Sequence, residues 1–155
     1  QSLLSRYGIL RVGLLYGEVQ TLAESAITAL IPLLDEPAAR LDHYSRRYPL
    51  HMMDAANACW HLVQQAMQDK AFQGVFHGCS QKGLTKYEML SVMATQLGKS
   101  MQPIEPITGP EGVTPRPFDC ELDCSKLYAL GMPAPRTFES GIVPLINVFH
   151  VIESR

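Results

Sequence analysis

No two of the four cysteines stand in a C-x-x-C pair, and no two of the five histidines stand in H-x-x-x-H or H-E-x-x-H spacing, so the usual sequence signatures of a zinc site are missing. The cysteines (Cys59, Cys79, Cys120, Cys124) are even in number, but a chain of 155 residues needs no disulfide framework, and they read as reduced thiols. Neither charge sign forms a long run among the 13 basic and 15 acidic residues, and a formal charge of -2 carries no electrostatic footprint for nucleic acid. No apolar run approaches the roughly 20 residues of a membrane span, and no charged-then-apolar signal pattern opens the chain. No glycine-rich turn of the G-x-G-x-x-G or G-x-x-G-x-x-G type follows a strand, so the phosphate-cradling element of a dinucleotide fold is lacking. These absences predict a soluble cytoplasmic protein with no metal, and with neither nucleic acid nor membrane as partner.

What is there suffices for one α/β domain, since 46% of the residues are hydrophobic. Gln1 to Arg6 read as the end of a helix running into a strand, so the chain is expected to begin mid-protein. Ile9 to Leu15 is almost continuously apolar, the pattern of a parallel-sheet strand covered on both faces. Thr21-Leu-Ala-Glu24 is a capping-box pattern, predicting a helix with Leu22, Ile27, Leu30, Ile31 and Leu34 inward, distorted at Pro32 and ended by Pro37. Arg40 to Leu50 is polar and aromatic, with Pro49 marking a turn or an edge strand. An amphipathic helix follows from about Met53 to Met67, its predicted buried stripe Met52, Ala56, Cys59, Trp60, Val63 and Met67. Gly74 to His77 reads as a short strand. A second capping box, Thr85 to Glu88, opens a helix carrying Leu90, Met93, Ala94 and Leu97 and stopped by Gly98.

Between Gln102 and Pro117 five prolines and two glycines exclude a regular helix and predict a long ordered loop with one short strand. Pro115 and Pro117 hold Arg116 extended, an arrangement suited to presenting its guanidinium to a ligand or an adjoining lobe. Beyond it, Asp123 is placed to cap a short helix with Leu127 and Leu130 on its apolar side and Gly131 as its left-handed stop. A last helix from Thr137 is expected to bury Ile142, Leu145, Ile146, Phe149 and Ile152, against the weakening effect of Gly141 and Pro144. Cys59 falls in an apolar stripe and reads as core; Cys124 reads as filler of a capping turn. Asp119, Glu121 and Asp123 read as solvated or capping carboxylates rather than an acid-base pair.

Several segments, in order, resemble the extended short-chain dehydrogenase/reductase superfamily in its dTDP-4-dehydrorhamnose reductase branch. They are Leu10 to Val19 with Glu24 to Thr28; Leu41 to His43 with Arg47 to His51 and Asp54; Gly74 to His77; Thr85 to Met89; and Leu122 to Leu127 with Leu130-Gly131. Within that branch, Leu15-Tyr-Gly-Glu-Val19, Thr85-Lys-Tyr-Glu-Met89 and Leu122-Asp-Cys-Ser-Lys-Leu127 are most similar to the regulatory beta subunits of methionine adenosyltransferase.

The resemblance implies the C-terminal part of a Rossmann-like fold whose N-terminal dinucleotide-binding half is absent. Residues 1–155 would form one segment, the last parallel strands plus a small substrate-type lobe. It further implies an NADP-associated regulatory subunit that modulates S-adenosylmethionine synthesis through a catalytic methionine adenosyltransferase subunit. On this reading Arg11, Gly13, Leu14 and Leu15 lie by the cofactor, and Arg116, Asp123 and Lys126 line a ligand or lobe interface. No catalytic residue is assigned. No tyrosine is followed four residues later by lysine, the pair a short-chain reductase uses to protonate its carbonyl substrate. The segment alone is therefore expected to bind NADP weakly or not at all. Reductases of the branch read Arg-Thr-Ser-Trp-Val-Tyr-Gly where this chain has Arg11-Val-Gly-Leu-Leu-Tyr-Gly17, and Gly13 and Leu14 in place of Ser and Trp argue against a rhamnose-type pocket. An NADPH-dependent reductase of the dTDP-4-dehydrorhamnose type is the alternative.

Overall fold

A computed structural model describes residues 6–111 and 117–153, with side chains through residue 147. Strand β1 (Tyr7–Val12) leads to a short β2 (Leu15–Tyr16), two 3-10 stretches (Leu22–Glu24 and Thr28–Asp35), β3 (Ala39–Asp42) and β4 (Leu50–His51). There follow α1 (Met52–Gln68), β5 (Gln73–Gly78), α2 (Lys86–Leu97), β6 (Ile104–Ile107), α3 (Ser125–Ala129) and α4 (Phe138–Glu153). Among the described residues each strand has one partner and every ladder is parallel: β1 with β5, β2 with β4, β3 with β6. Parallel neighbours cannot be joined by a tight hairpin, so each pairing requires a crossover, and α1 serves as one by packing on both β1 and β5. No helix among the described residues is long and apolar enough to cross a membrane.

The larger core joins the 3-10 segments to α2 and α4. Ile27, Leu30, Ile31 and Leu34 pack with Leu41, with Met89, Leu90 and Met93 of α2, and with Phe138, Ile142 and Ile146 of α4. The capping box on α2 forms as its sequence predicts: the Thr85 hydroxyl accepts from Glu88 N, the Glu88 carboxylate accepts from Thr85 N, and Gly98 closes the helix at φ +64°. The predicted strand between the prolines is β6, and Gly131 takes its left-handed stop at φ +88°. Phe149 and Ile152 lie outside the residues whose side chains are described.

Two readings need correction. The helix expected after Thr21 is two 3-10 pieces. Glu24 does reach back to Gln20 N, but Thr21 makes no cap bond to the backbone. Pro32 removes an N–H and crowds the carbonyl of Thr28, while the Ser25 hydroxyl accepts from Ile27 N and Thr28 donates to the Leu22 carbonyl, so α-type bonding does not propagate.

The stripe expected to be buried on α1 faces outward, with Trp60 60% and Met67 77% exposed and Cys59 in solvent rather than in the core. Asp54, Ala58 and Leu62 are buried instead. Small Ala58 fits there because Phe72 and Phe76, stacked at 5.4 Å, fill the space beneath together with Leu127. Periodicity finds both stripes and cannot say which one the sheet covers.

The apolar strand Ile9 to Leu15 is not covered on both faces among the described residues and stands as an exposed hydrophobic edge, with Ile9 47%, Val12 36% and Leu15 43% exposed. A two-stranded ladder with one helix across it leaves the other face of β1 bare.

His51 starts α1 by accepting from Met53 N at 3.1 Å through Nδ1, which requires that nitrogen to be unprotonated. Burial, and then the charge of Arg136, hold its pKa below the usual 6.5. A depressed folded-state pKa means the bond's stability is present above the unfolded value and is lost as pH falls through the folded one. Denaturation midpoints measured from about pH 7.5 down to about pH 5 are expected to fall below roughly pH 6.5, with a shallower fall in His51→Asn.

Candidate functional site

The carboxyl ends of β1 and β5 lie side by side, and a cleft opens just beyond them, where ligands bind in open parallel sheets. Gly13 continues the ladder by donating its N–H to the Gly78 carbonyl at 3.0 Å, and the Leu14 carbonyl accepts from Leu50 N at 2.8 Å. A small pocket sits there, walled by the strand ends Leu50, Gly78 and Cys79, by Asp54 and Ala58 of α1, and by the segment from Cys124 to Pro135.

Gly13 is a glycine for a steric reason. A Cβ there would stand 2.5 Å from the Tyr48 carbonyl oxygen and 3.2 Å from Cys79 Cβ. The strand can therefore pass between the Tyr48 backbone and the end of β5 only without a side chain.

Of the residues assigned beside the cofactor, Arg11 is exposed and registers opposite His77. Leu14 is half-buried against the larger core, and Leu15 points into solvent. Asp123 is exposed; its carboxylate accepts from Ser125 N at 2.9 Å, which holds its pKa low, and its carbonyl meets His77 Nδ1 at 3.2 Å. Lys126 is exposed on α3, away from the pocket lining. Arg116 lies outside the described residues. The structure thus brings Gly13 to the pocket's rim and Asp123 to the tip of β5, and leaves Leu15 and Lys126 outside.

Residues that the motifs did not single out as site residues brace the surroundings of the cleft, and one of them, Asp54, is in its lining. Asp54 is buried, and its carboxylate accepts three bonds from Arg136: backbone N at 3.1 Å, Nε at 3.0 Å and an η nitrogen at 3.1 Å. This fork clamps α1 to the start of α4. Tyr16 lies edge-on to His51 and Phe138, and burial pushes its hydroxyl up to about 12. Gly141 makes room for that ring, since a Cβ there would meet the Tyr16 hydroxyl. Tyr48 donates to Asp119 at 3.3 Å, linking β4 to the loop ahead of α3. Asp54 appeared in the sequence only as one letter of a motif, and Arg136 had no signal, because their pairing spans 82 positions.

A family model described as the RmlD substrate binding domain matches residues 1–151. The chain belongs to the RmlD substrate binding domain family. This RmlD-type chain is 38% identical over 137 residues to methionine adenosyltransferase 2 subunit beta of Xenopus tropicalis, covering 86% of this chain and 41% of that protein. The protein of the same name from Danio rerio is 35% identical over 133 residues, again with 41% of its length covered. The chain therefore spans about two fifths of the curated relatives it matches.

Among solved structures, dTDP-glucose 4,6-dehydratase from Bacillus anthracis str. Ames, in complex with NAD, superposes with a TM-score of 0.70 at 20% identity, over 95% of this chain and 45% of that one. The dTDP-4-dehydrorhamnose reductase of the same organism, in complex with NADP, gives 0.70 at 14% identity, over 91% and 47%. At such identities the likeness shows the fold alone: an α/β chain built on parallel strand pairs.

Proposed function

We propose that this RmlD-type chain is the last-strand and small-lobe portion of a regulatory, NADP-associated beta subunit of methionine adenosyltransferase. It would act in the cytoplasm by binding the catalytic subunit and modulating S-adenosylmethionine synthesis, without a reaction of its own. The observation that carries the reading is the identity of 38% over 137 residues to a protein named as that subunit. Two features, one of the sequence and one of the cleft, support it. Gly13 and Leu14 stand where reductases of the branch carry Ser and Trp, and the wall of Leu50, Ala58, Leu127, Met132 and Pro135 is apolar. Arg11, Gly13, Leu14 and Leu15 are proposed at the cofactor side, and Arg116, Asp123 and Lys126 at the lobe interface.

Titration calorimetry with NADP and with a purified catalytic subunit tests the proposal. The longer protein carrying this segment is expected to bind both and to change the rate of S-adenosylmethionine synthesis. The 155 residues alone are expected to bind NADP only weakly, because the glycine-rich turn that cradles the pyrophosphate is not among them. Micromolar binding by the segment alone would refute that division of affinity. The second reading, favoured by the family match, is a reductase. NADPH oxidation dependent on dTDP-4-dehydrorhamnose, with no effect on the synthase, would establish it in place of the first.

A further inference from the structure

Cys79 closes β5 and Cys124 immediately precedes α3, 45 positions later, yet their Sγ atoms lie 3.5 Å apart. Both side chains are buried, packed with Tyr48 and flanked by Leu122 and Tyr128, and both line the pocket at the strand ends. The two thiols also converge on one acceptor, the Leu122 carbonyl, at 3.5 Å from Cys79 and 3.3 Å from Cys124. No third ligand joins them: among the described residues no group of three or more His, Cys, Asp or Glu could hold a metal ion. Cys59 and Cys120 make no such thiol pair, Cys59 lying exposed on α1 and Cys120 receiving a bond from Arg47 at 3.4 Å.

We propose that Cys79 and Cys124 form a reversible disulfide in the wall of the ligand cleft, made by hydrogen peroxide or an equally small two-electron oxidant. A disulfide requires sulfurs about 2.05 Å apart, so the pair must close by roughly 1.5 Å, within reach of small rotations about the two Cα–Cβ bonds. Peroxide first transfers one oxygen to one of the two sulfurs, its O–O bond breaking to give a sulfenic acid and one water. The other sulfur then attacks it, the S–O bond breaks, and the hydroxide leaves with the attacking thiol's proton as a second water. Two thiols and one peroxide thus become one disulfide and two waters. Burial pushes the Cys79 thiol up to about 11, so the bond is expected to form slowly at neutral pH and faster as pH rises, and the same two waters leave whichever sulfur takes the first oxygen. Contact between the two sulfurs offsets the small thiolate fraction of Cys79, because attack within a preformed pair needs no encounter.

The bond ties the tip of β5 to the segment that walls the pocket, and it takes both thiol donors from the Leu122 carbonyl. The proposal does not rest on the regulatory-subunit reading. The test treats the protein with peroxide, alkylates the remaining thiols, and maps peptides by mass spectrometry without reductant. The expected result is one linked pair, the Cys79 and Cys124 peptides, separated by dithiothreitol, abolished in Cys79→Ser and in Cys124→Ser, and intact in Cys59→Ser. In Cys79→Ser, Cys124 should instead carry a sulfenic acid that dimedone traps. Peroxide treatment that oxidises Cys59 while Cys79 and Cys124 both remain alkylatable after unfolding would overturn the assignment, as would over-oxidation of Cys124 with no linked peptide.

Discussion

Asp54→Ala is expected to destabilise the protein by about 1.5–3 kcal/mol, the scale of hydrogen bonds to a charged group, because the Arg136 side chain left behind is 38% exposed and can be rehydrated. The loss exceeds that of an ordinary surface ion pair because Asp54 is only 9% exposed and receives three bonds from Arg136, one of them from the backbone. Without the carboxylate, the guanidinium at the start of α4 and the Arg136 N–H lose their acceptor together, and α1 is no longer tied to the helix that completes the larger core. Asp54→Asn keeps the shape and one acceptor oxygen, and should recover part of the loss. Urea denaturation of the three proteins measures this, and an Asp54→Ala midpoint within error of the unsubstituted protein would show that the fork contributes nothing net.

The second large effect is expected at Gly13. Gly13→Ala drives a methyl group to within 2.5 Å of the Tyr48 carbonyl oxygen, a backbone atom that cannot rotate away, and against Cys79 Cβ at 3.2 Å. Overpacking of this kind typically costs about 1–3 kcal/mol. It falls on the junction where β1 bonds to the end of β5 through Gly13 N and Gly78 O. Gly13→Ser, which restores the residue found in reductases of the branch, should be at least as damaging. Thermal denaturation of both variants tests the argument; a Gly13→Ser variant as stable as the parent would mean that the Tyr48 loop yields easily. Gly98→Ala is a useful contrast, since a Cβ there meets nothing and only the left-handed φ of +64° is strained.

Short-range chemistry was readable wherever the determining contacts were near in sequence. The capping box of Thr85 and Glu88, the left-handed stops at Gly98 and Gly131, and the strand among the prolines depend on residues a few positions apart. The family resemblance was carried by equally local runs such as Leu122 to Leu127. The 3-10 segment was misread because two competing local signals were present: the Thr21 pattern favours a helix start, and the Ser25 and Thr28 side-chain bonds with Pro32 prevent α-helical propagation. On α1 the sequence offered an apolar stripe of Met52, Trp60, Val63 and Met67 and, on nearly the opposite face, a small set of Ala58 and Leu62. Only the position of the Phe72–Phe76 stack selects the second as the buried one.

The sequence by itself determined the class of the chain: an α/β element pattern, the cap of α2, the stops of α2 and α3, and the family that its motifs resemble; α3 itself has Cys124, which makes no side-chain cap bond, at the cap position expected of Asp123. Tertiary structure decided which face each element buries and what lines the cleft. Gly13 meets Tyr48 and Cys79, Asp54 meets Arg136, and Cys79 meets Cys124 across separations of 35, 66, 82 and 45 positions. Contacts at such distances along the chain depend on three parallel pairings and their crossovers, and no local propensity encodes them.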